Sequence, residues 1–122
     1  MILVDTSVWI DHLRVGDRNL ARLLNSGQVS VHPFIVGEVA LGNLRQRDEV
    51  LGFMRELPQA PVAAHAEVLY FIDEWELFGR GIGYVDAHLL ASVRLIPGTQ
   101  LWTRDQRLLA IAEQFGLALK MR

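Results

Sequence analysis

Cysteine is absent from the 122-residue chain, which excludes disulfides and thiolate metal sites. Lysine is nearly absent too, since all of the 12 basic residues except Lys120 are arginine. That bias suits bidentate phosphate contacts and equally suits a genomic base composition. No apolar run approaches the roughly 20 residues needed to cross a bilayer. The N-terminus lacks the basic region and long apolar stretch of a secretion signal, so a cytoplasmic protein is expected. A large excess of one charge is missing as well: the net charge of -2 argues against a general polyanion binder and confines any nucleic-acid contact to a local strip. The four histidines, His12, His32, His65 and His88, have no HxxxH or similar spacing, which with the lack of cysteine disfavours zinc. There is no internal repeat, low-complexity tract or dividing linker, so residues 1–122 are expected to form one domain.

What is present is a sequence that is 51% hydrophobic and 21% charged, long enough to bury roughly 65% of its unfolded surface around one core. "MILVD" reads as a short buried strand, and "TSVWIDHLRVG" as a helix whose start is supplied by the hydroxyls of Thr6 and Ser7. "DRNLARLLNSG" is a second helix closed by Gly27, and "QVSVH" a strand. Pro33 then sits in the first turn of the helix "PFIVGEVALGNL". Further helices are expected at "RDEVLGFMREL", "AHAEVLYFIDEWELFG", "YVDAHLLASVRL" and "DQRLLAIAEQFG", with strands at "QLWT" and "LALK". In "AHAEVLYFIDEWELFG" Val68, Phe71, Ile72, Trp75 and Phe78 recur at helical spacing and are expected in the core. Short apolar strands alternating with helices predict an α/β fold, a three-layer α/β/α sandwich with a mostly parallel sheet. In open sheets of this kind ligands bind beyond the carboxyl ends of the strands.

Against this frame four acids stand out. Asp5 lies between "ILV" and "VWI", where a buried carboxylate loses hydration worth several kcal/mol. Glu38 sits in a helix that is apolar nearly all round and so must meet a partner. Asp86 falls in the first turn of its helix, where the macrodipole favours a negative charge, and Asp105 opens the last helix, where it would serve as a cap. All four can be placed at one edge of one sheet. Like charges about 4 Å apart would cost about 4 kcal/mol per pair at an effective dielectric of 20. Relief comes from protonation or from a bound cation. Oxygen-only ligands select Mg²⁺ or Mn²⁺, and such ions activate water and neutralise phosphoryl charge, which makes a phosphodiester the natural substrate.

"MILVDTSVWID", "GEVALG", "YVDAHLLAS" and "LWTRDQRL", in that order along essentially the whole chain, resemble the PIN-domain ribonucleases, and within them the VapC-type toxins of bacterial toxin–antitoxin pairs. The resemblance implies an endoribonuclease dependent on Mg²⁺ or Mn²⁺ that leaves a 5′-phosphate and a 3′-hydroxyl. It also implies inhibition by a small cognate antitoxin resembling VapB, and a homodimer. It places Asp5, Glu38, Asp86 and Asp105 as catalytic and metal-binding residues, with Ser7 and Thr103 orienting their carboxylates.

Arg80 in "GRGIG" and Arg14 are the weaker candidates for RNA contact, with Arg18, Arg22, Arg45 and Arg47 behind them and solvated surface as the plainer reading. Trp9, Trp75 and Trp102 could stack on bases, yet each sits in an apolar pattern that places it in the core or at a subunit contact. His88, two residues from Asp86, points elsewhere on a helix and reads as structural. A phosphotransferase of the haloacid-dehalogenase type would need a second aspartate where Ser7 stands. The alternative is a catalytically inactive PIN-like module that binds protein or RNA and whose acids only cap helices.

Overall fold

In the computed structural model, which describes residues 1–120, the chain runs β1 (Ile2–Val4), α1 (Thr6–Val15), α2 (Arg18–Asn25), β2 (Val29–Ser30), α3 (Pro33–Ala40), α4 (Arg47–Glu56), α5 (His65–Glu74), α6 (Tyr84–Leu95), β3 (Gln100–Trp102) and α7 (Gln106–Gln114). The three strands are parallel in the order β2-β1-β3. Parallel neighbours need crossovers, and crossovers are right-handed. The step from β1 to β2 and the return past β1 to β3 go in opposite directions, so their helices fall on opposite faces. That makes three layers and an α/β fold. β1 is central, with Ile2 opposite both Val29 and Gln100 and Val4 opposite Trp102. Leu3, Val4, Leu101, Leu89 and Leu90 are fully enclosed around it.

Single parallel bridges widen the sheet at both edges, Val31 to Gln59 and Leu101 to Ala118. The expected closing strand "LALK" is reduced to the second of these. Its backbone still pairs, Leu101 N–H donating to the carbonyl of Leu117 at 2.7 Å and Leu119 N–H to that of Leu101 at 2.8 Å.

Two helices are shorter than their apolar pattern. α3 stops at Ala40, leaving Leu41 90% exposed. α5 stops at Glu74, where Glu76 N–H donates to Asp73 and Leu77 N–H to Ile72, a Schellman closure with Glu76 at φ 50° in the place usually given to glycine. The turn delivers Leu77, not Phe78, to the interior: Phe78 is 63% exposed, against the expectation that it is core. Val68 and Phe71 are buried as expected, and Trp75 packs on Phe71 and stacks on Phe115 with ring centres 3.8 Å apart. Trp9 and Trp102 are buried.

α1 and α2 are separate helices. Gly16 at φ 79° ends the first, and the Asp17 carboxylate caps the second by accepting from Leu20 N–H at 2.9 Å. The i, i+4 run of Arg14, Arg18 and Arg22 is therefore broken rather than continuous.

Candidate active site

Asp5 is the first residue beyond β1, and its N–H still donates to the Trp102 carbonyl of β3 at 2.9 Å. Sheet register therefore fixes where its side chain begins. The side chain is buried, and one carboxylate oxygen, Oδ2, accepts from Thr103 Oγ1 at 2.7 Å and from Ser7 Oγ at 2.9 Å. Ser7 also accepts from Arg104 N–H at 3.0 Å, and Thr103 from Asp105 N–H at 3.1 Å. The two hydroxyls thus tie the end of β1 to the loop after β3, and they orient a carboxylate, as the sequence suggested. Thr6 and Ser7 do not cap α1 as expected: Asp5 occupies the N-cap position with no side-chain cap bond, and both hydroxyls donate to carboxylates, Thr6 to Glu38 and Ser7 to Asp5.

Glu38 comes from the second turn of α3, which packs against α1. It is exposed rather than enclosed, because the short helix leaves that side open. Its Oε1 accepts from Thr6 Oγ1 at 2.7 Å. Thr6 is the residue that sequence reasoning missed; its adjacency to Asp5 was the available signal, spent there on helix capping. Asp86 lies in the first turn of α6, half-buried, with Oδ2 accepting from Gly83 N–H at 3.0 Å. Asp105 is exposed and caps α7, its Oδ1 accepting from the N–H groups of Arg107 and Leu108, each at 3.0 Å.

The four acids share one electrostatic neighbourhood. Burial pushes the Asp86 carboxyl above its ordinary range, the Gly83 N–H draws it partly back, and the charges of Asp5, Asp105 and Glu38 each push it up again. No arginine or lysine among the described residues forms an ion pair with any of the four; the ion pairs there belong to Arg104, with Asp11 and Asp17. Only hydroxyls and N–H groups face these carboxylates, so their charge is oriented and not cancelled.

The donors are all carboxylate oxygens, the set that suits a hard divalent cation. Among the described residues no three His, Asp or Glu side chains stand close enough to form a ready-made metal cage. Each acid accepts from neutral donors: Asp5 from two hydroxyls, Glu38 from Thr6, Asp86 from Gly83 N–H and Asp105 from the first N–H groups of its own helix. The residues fit a divalent ion by chemistry and by uncompensated charge.

The weaker candidates fare differently. Arg80 donates to Gln114 Oε1 at 2.7 Å, and Arg14 is exposed in the last turn of α1. His88 is buried, and burial lowers its pKa, with the nearby His65 adding to the effect. It lies between Phe34 and Tyr84, each ring centre 4.7 Å from its own, in a layer also holding His32. His32 caps α3, accepting from Phe34 N–H at 3.0 Å, and burial lowers its pKa to about 4. Both histidines are structural parts of that layer.

A family model described as PIN domain matches residues 2–114. Two curated relatives, both called Ribonuclease VapC32, from Mycobacterium tuberculosis strains CDC 1551 / Oshkosh and ATCC 25618 / H37Rv, are each 51% identical over 119 residues, covering 98% of this chain and 96% of theirs. Among solved structures, that of PAE2754 from Pyrobaculum aerophilum superposes with a TM-score of 0.68 at 18% identity, covering 97% of this chain and 87% of that one. That last likeness is one of fold.

Proposed function

The chain belongs to the PIN-domain family, and from that premise we propose that it is a divalent-metal-dependent endoribonuclease, the toxin of a toxin–antitoxin pair. The observation that carries the reading is the PIN-domain match over residues 2–114 together with the buried Asp5 carboxylate at the end of β1, oriented by Ser7 and Thr103. The 51% identity to proteins named as ribonucleases of the VapC type supports RNA as substrate and a small VapB-like antitoxin as partner. The cell's cytoplasm is the proposed site of action.

Asp5, Glu38 and Asp86 would hold Mg²⁺ or Mn²⁺, with Asp105 completing the set. When bound, the ion supplies water activation and neutralises charge on the phosphoryl group. Ser7 and Thr103 keep Oδ2 of Asp5 engaged, which leaves its other oxygen for the pocket. Thr6 does the same for Glu38 through Oε1. Gly83 holds Oδ2 of Asp86, aiming that carboxylate along the start of its helix. The four negative charges repel a phosphodiester until they are neutralised, so cleavage should depend on the metal, and RNA binding should be weaker, though present, in chelator. Leu69, Tyr70 and Phe78, on and after α5, are exposed, and a homodimer contact there would cover them. Sedimentation of the purified chain checks that part.

The test is incubation with total cellular RNA in Mn²⁺ and in chelator, followed by mapping of the cut ends. Metal-dependent internal cuts ending in 5′-phosphate are expected. Intact RNA in both arms, with the chain folded, would leave only the binding-module reading.

A further inference from the structure

Arg107 lies in the first turn of α7, and its own N–H is one of the two that Asp105 caps, at 3.0 Å. Its side chain is laid along the loop that leads into Asp86. A Cβ built on Gly81 would stand 2.6 Å from Arg107 Nη1, 2.7 Å from Cδ and 3.1 Å from Cζ. Among the described residues Gly81 is the only glycine where an added Cβ would approach another residue so closely, and its φ of 81° is itself one that favours glycine. Two residues on, Gly83 N–H binds Asp86 Oδ2. The arginine is therefore bracketed by two members of the acid site, Asp105 through its backbone and Asp86 through the glycine loop.

The other arginines near this edge are engaged. Arg104 is paired with Asp11 and Asp17, and Arg80 with Gln114. Arg107 is exposed and forms no ion pair with a carboxylate among the described residues. Its side chain lies against Gly81, in the loop that leads into Asp86, and its planar fork matches a phosphate.

We propose that Arg107, seated on Gly81, grips a phosphate of the RNA backbone next to the acid site, a substrate-positioning role that rests on the nuclease reading above. It holds the polyanion against a pocket whose own charge would push it away.

The experiment titrates a fluorescein-labelled single-stranded oligoribonucleotide against the full chain in chelator, by anisotropy, over a series of KCl concentrations. For Arg107→Gln, binding should weaken about 5- to 10-fold at moderate salt, for any sequence. The slope of log K against log salt should become shallower by about 0.7, the signature of one lost contact to a single strand. Arg107→Lys should restore the slope but not the full affinity, and Gly81→Ala should reproduce the loss of affinity with the charge intact. An unchanged affinity and slope in Arg107→Gln, with a melting curve like that of the parent, overturns the proposal. Failure of the nuclease reading looks different: the unmodified chain would bind the labelled RNA and cut nothing when Mn²⁺ is added, while the Arg107 measurement would stand.

Discussion

Two groups of acids drawn from neighbouring stretches of chain end in opposite electrical states. Asp11 and Asp17, in α1 and at the cap of α2, share the guanidinium of Arg104, which together with Leu20 N–H holds the Asp17 carboxyl below its usual range. Asp5, Glu38, Asp86 and Asp105 receive only neutral donors. Arg104 sits between Thr103 and Asp105 in sequence and binds Ser7 through its backbone, yet its side chain turns the other way. A hydroxyl fixes the direction of a carboxylate and leaves its charge in place, whereas a guanidinium fixes both. The first group is a clasp between α1, α2 and the β3–α7 loop, and the second is the group proposed above to take a cation.

The widest expected gap between the groups is in activity. Asp5→Asn should lower RNA cleavage about a thousandfold, on the scale of removing a group that organises transition-state charge, while the metal-free melting temperature stays level or rises because a repelling charge is gone. Asp11→Asn should cleave like the parent. If Asp5→Asn unfolds the chain, its carboxylate belongs with the clasp.

Metal sharpens the contrast next. Mg²⁺ or Mn²⁺ at about 100 times its dissociation constant should stabilise the fold by about 2.7 kcal/mol, read as an upward shift of several degrees in scanning calorimetry against chelator. Asp86→Asn should shrink that shift and Asp17→Asn should not.

Acid should separate the groups by sign. The Asp86 carboxyl takes its proton more readily in the fold than in the unfolded chain, so lowering the pH through its raised pKa relieves repulsion and favours the fold. Asp17, with a depressed pKa, contributes stability above its unfolded value that is lost as pH falls through the folded one. His32 adds a third case: with a folded pKa of about 4 against 6.5 unfolded, it withdraws stability progressively as pH drops from about 6.5 towards 4. Urea midpoints for the parent should therefore fall over that range more steeply than those of His32→Asn, which keeps a capping oxygen for α3 and removes the titration. Equal slopes would show that His32 does not govern the acid limb.

The smallest effect belongs to the clasp itself. Arg104→Gln should cost about 1 kcal/mol in urea unfolding, the scale of partly exposed ion pairs. It should reduce cleavage only as far as the Thr103–Asp105 loop loosens.

Much of this was legible beforehand for identifiable reasons. Apolar triplets flanked by acids marked β1, and its continuation into a helix placed Asp5 at the carboxyl edge. Pro33 and Gly27 marked helix ends because each leaves a local conformational imprint. The end of α5 was illegible because Glu76, not glycine, makes the left-handed turn, so the helical spacing of Phe78 misled. Glu38 was expected to be enclosed, since an apolar helix gives no sign of which turn will stop at Ala40 and open its side to water. Thr6 and Arg107 were missed because their meaning depends on Glu38, 32 residues from Thr6, and on Gly81, in a loop that periodicity does not describe.

The sequence by itself determined the donors: carboxylates in place of thiols, hydroxyls spaced two residues from acids, and the alternation of strands and helices that puts Asp5 and Asp105 beyond strand ends. The tertiary structure alone decided how those donors are spent. Which acids Arg104 neutralises, which hydroxyl turns to Glu38 and which arginine lies on Gly81 follow from pairings across 87, 93 or 32 residues and from loop contacts. Charge compensation depends on distance in space, and only the packed parallel sheet sets those distances.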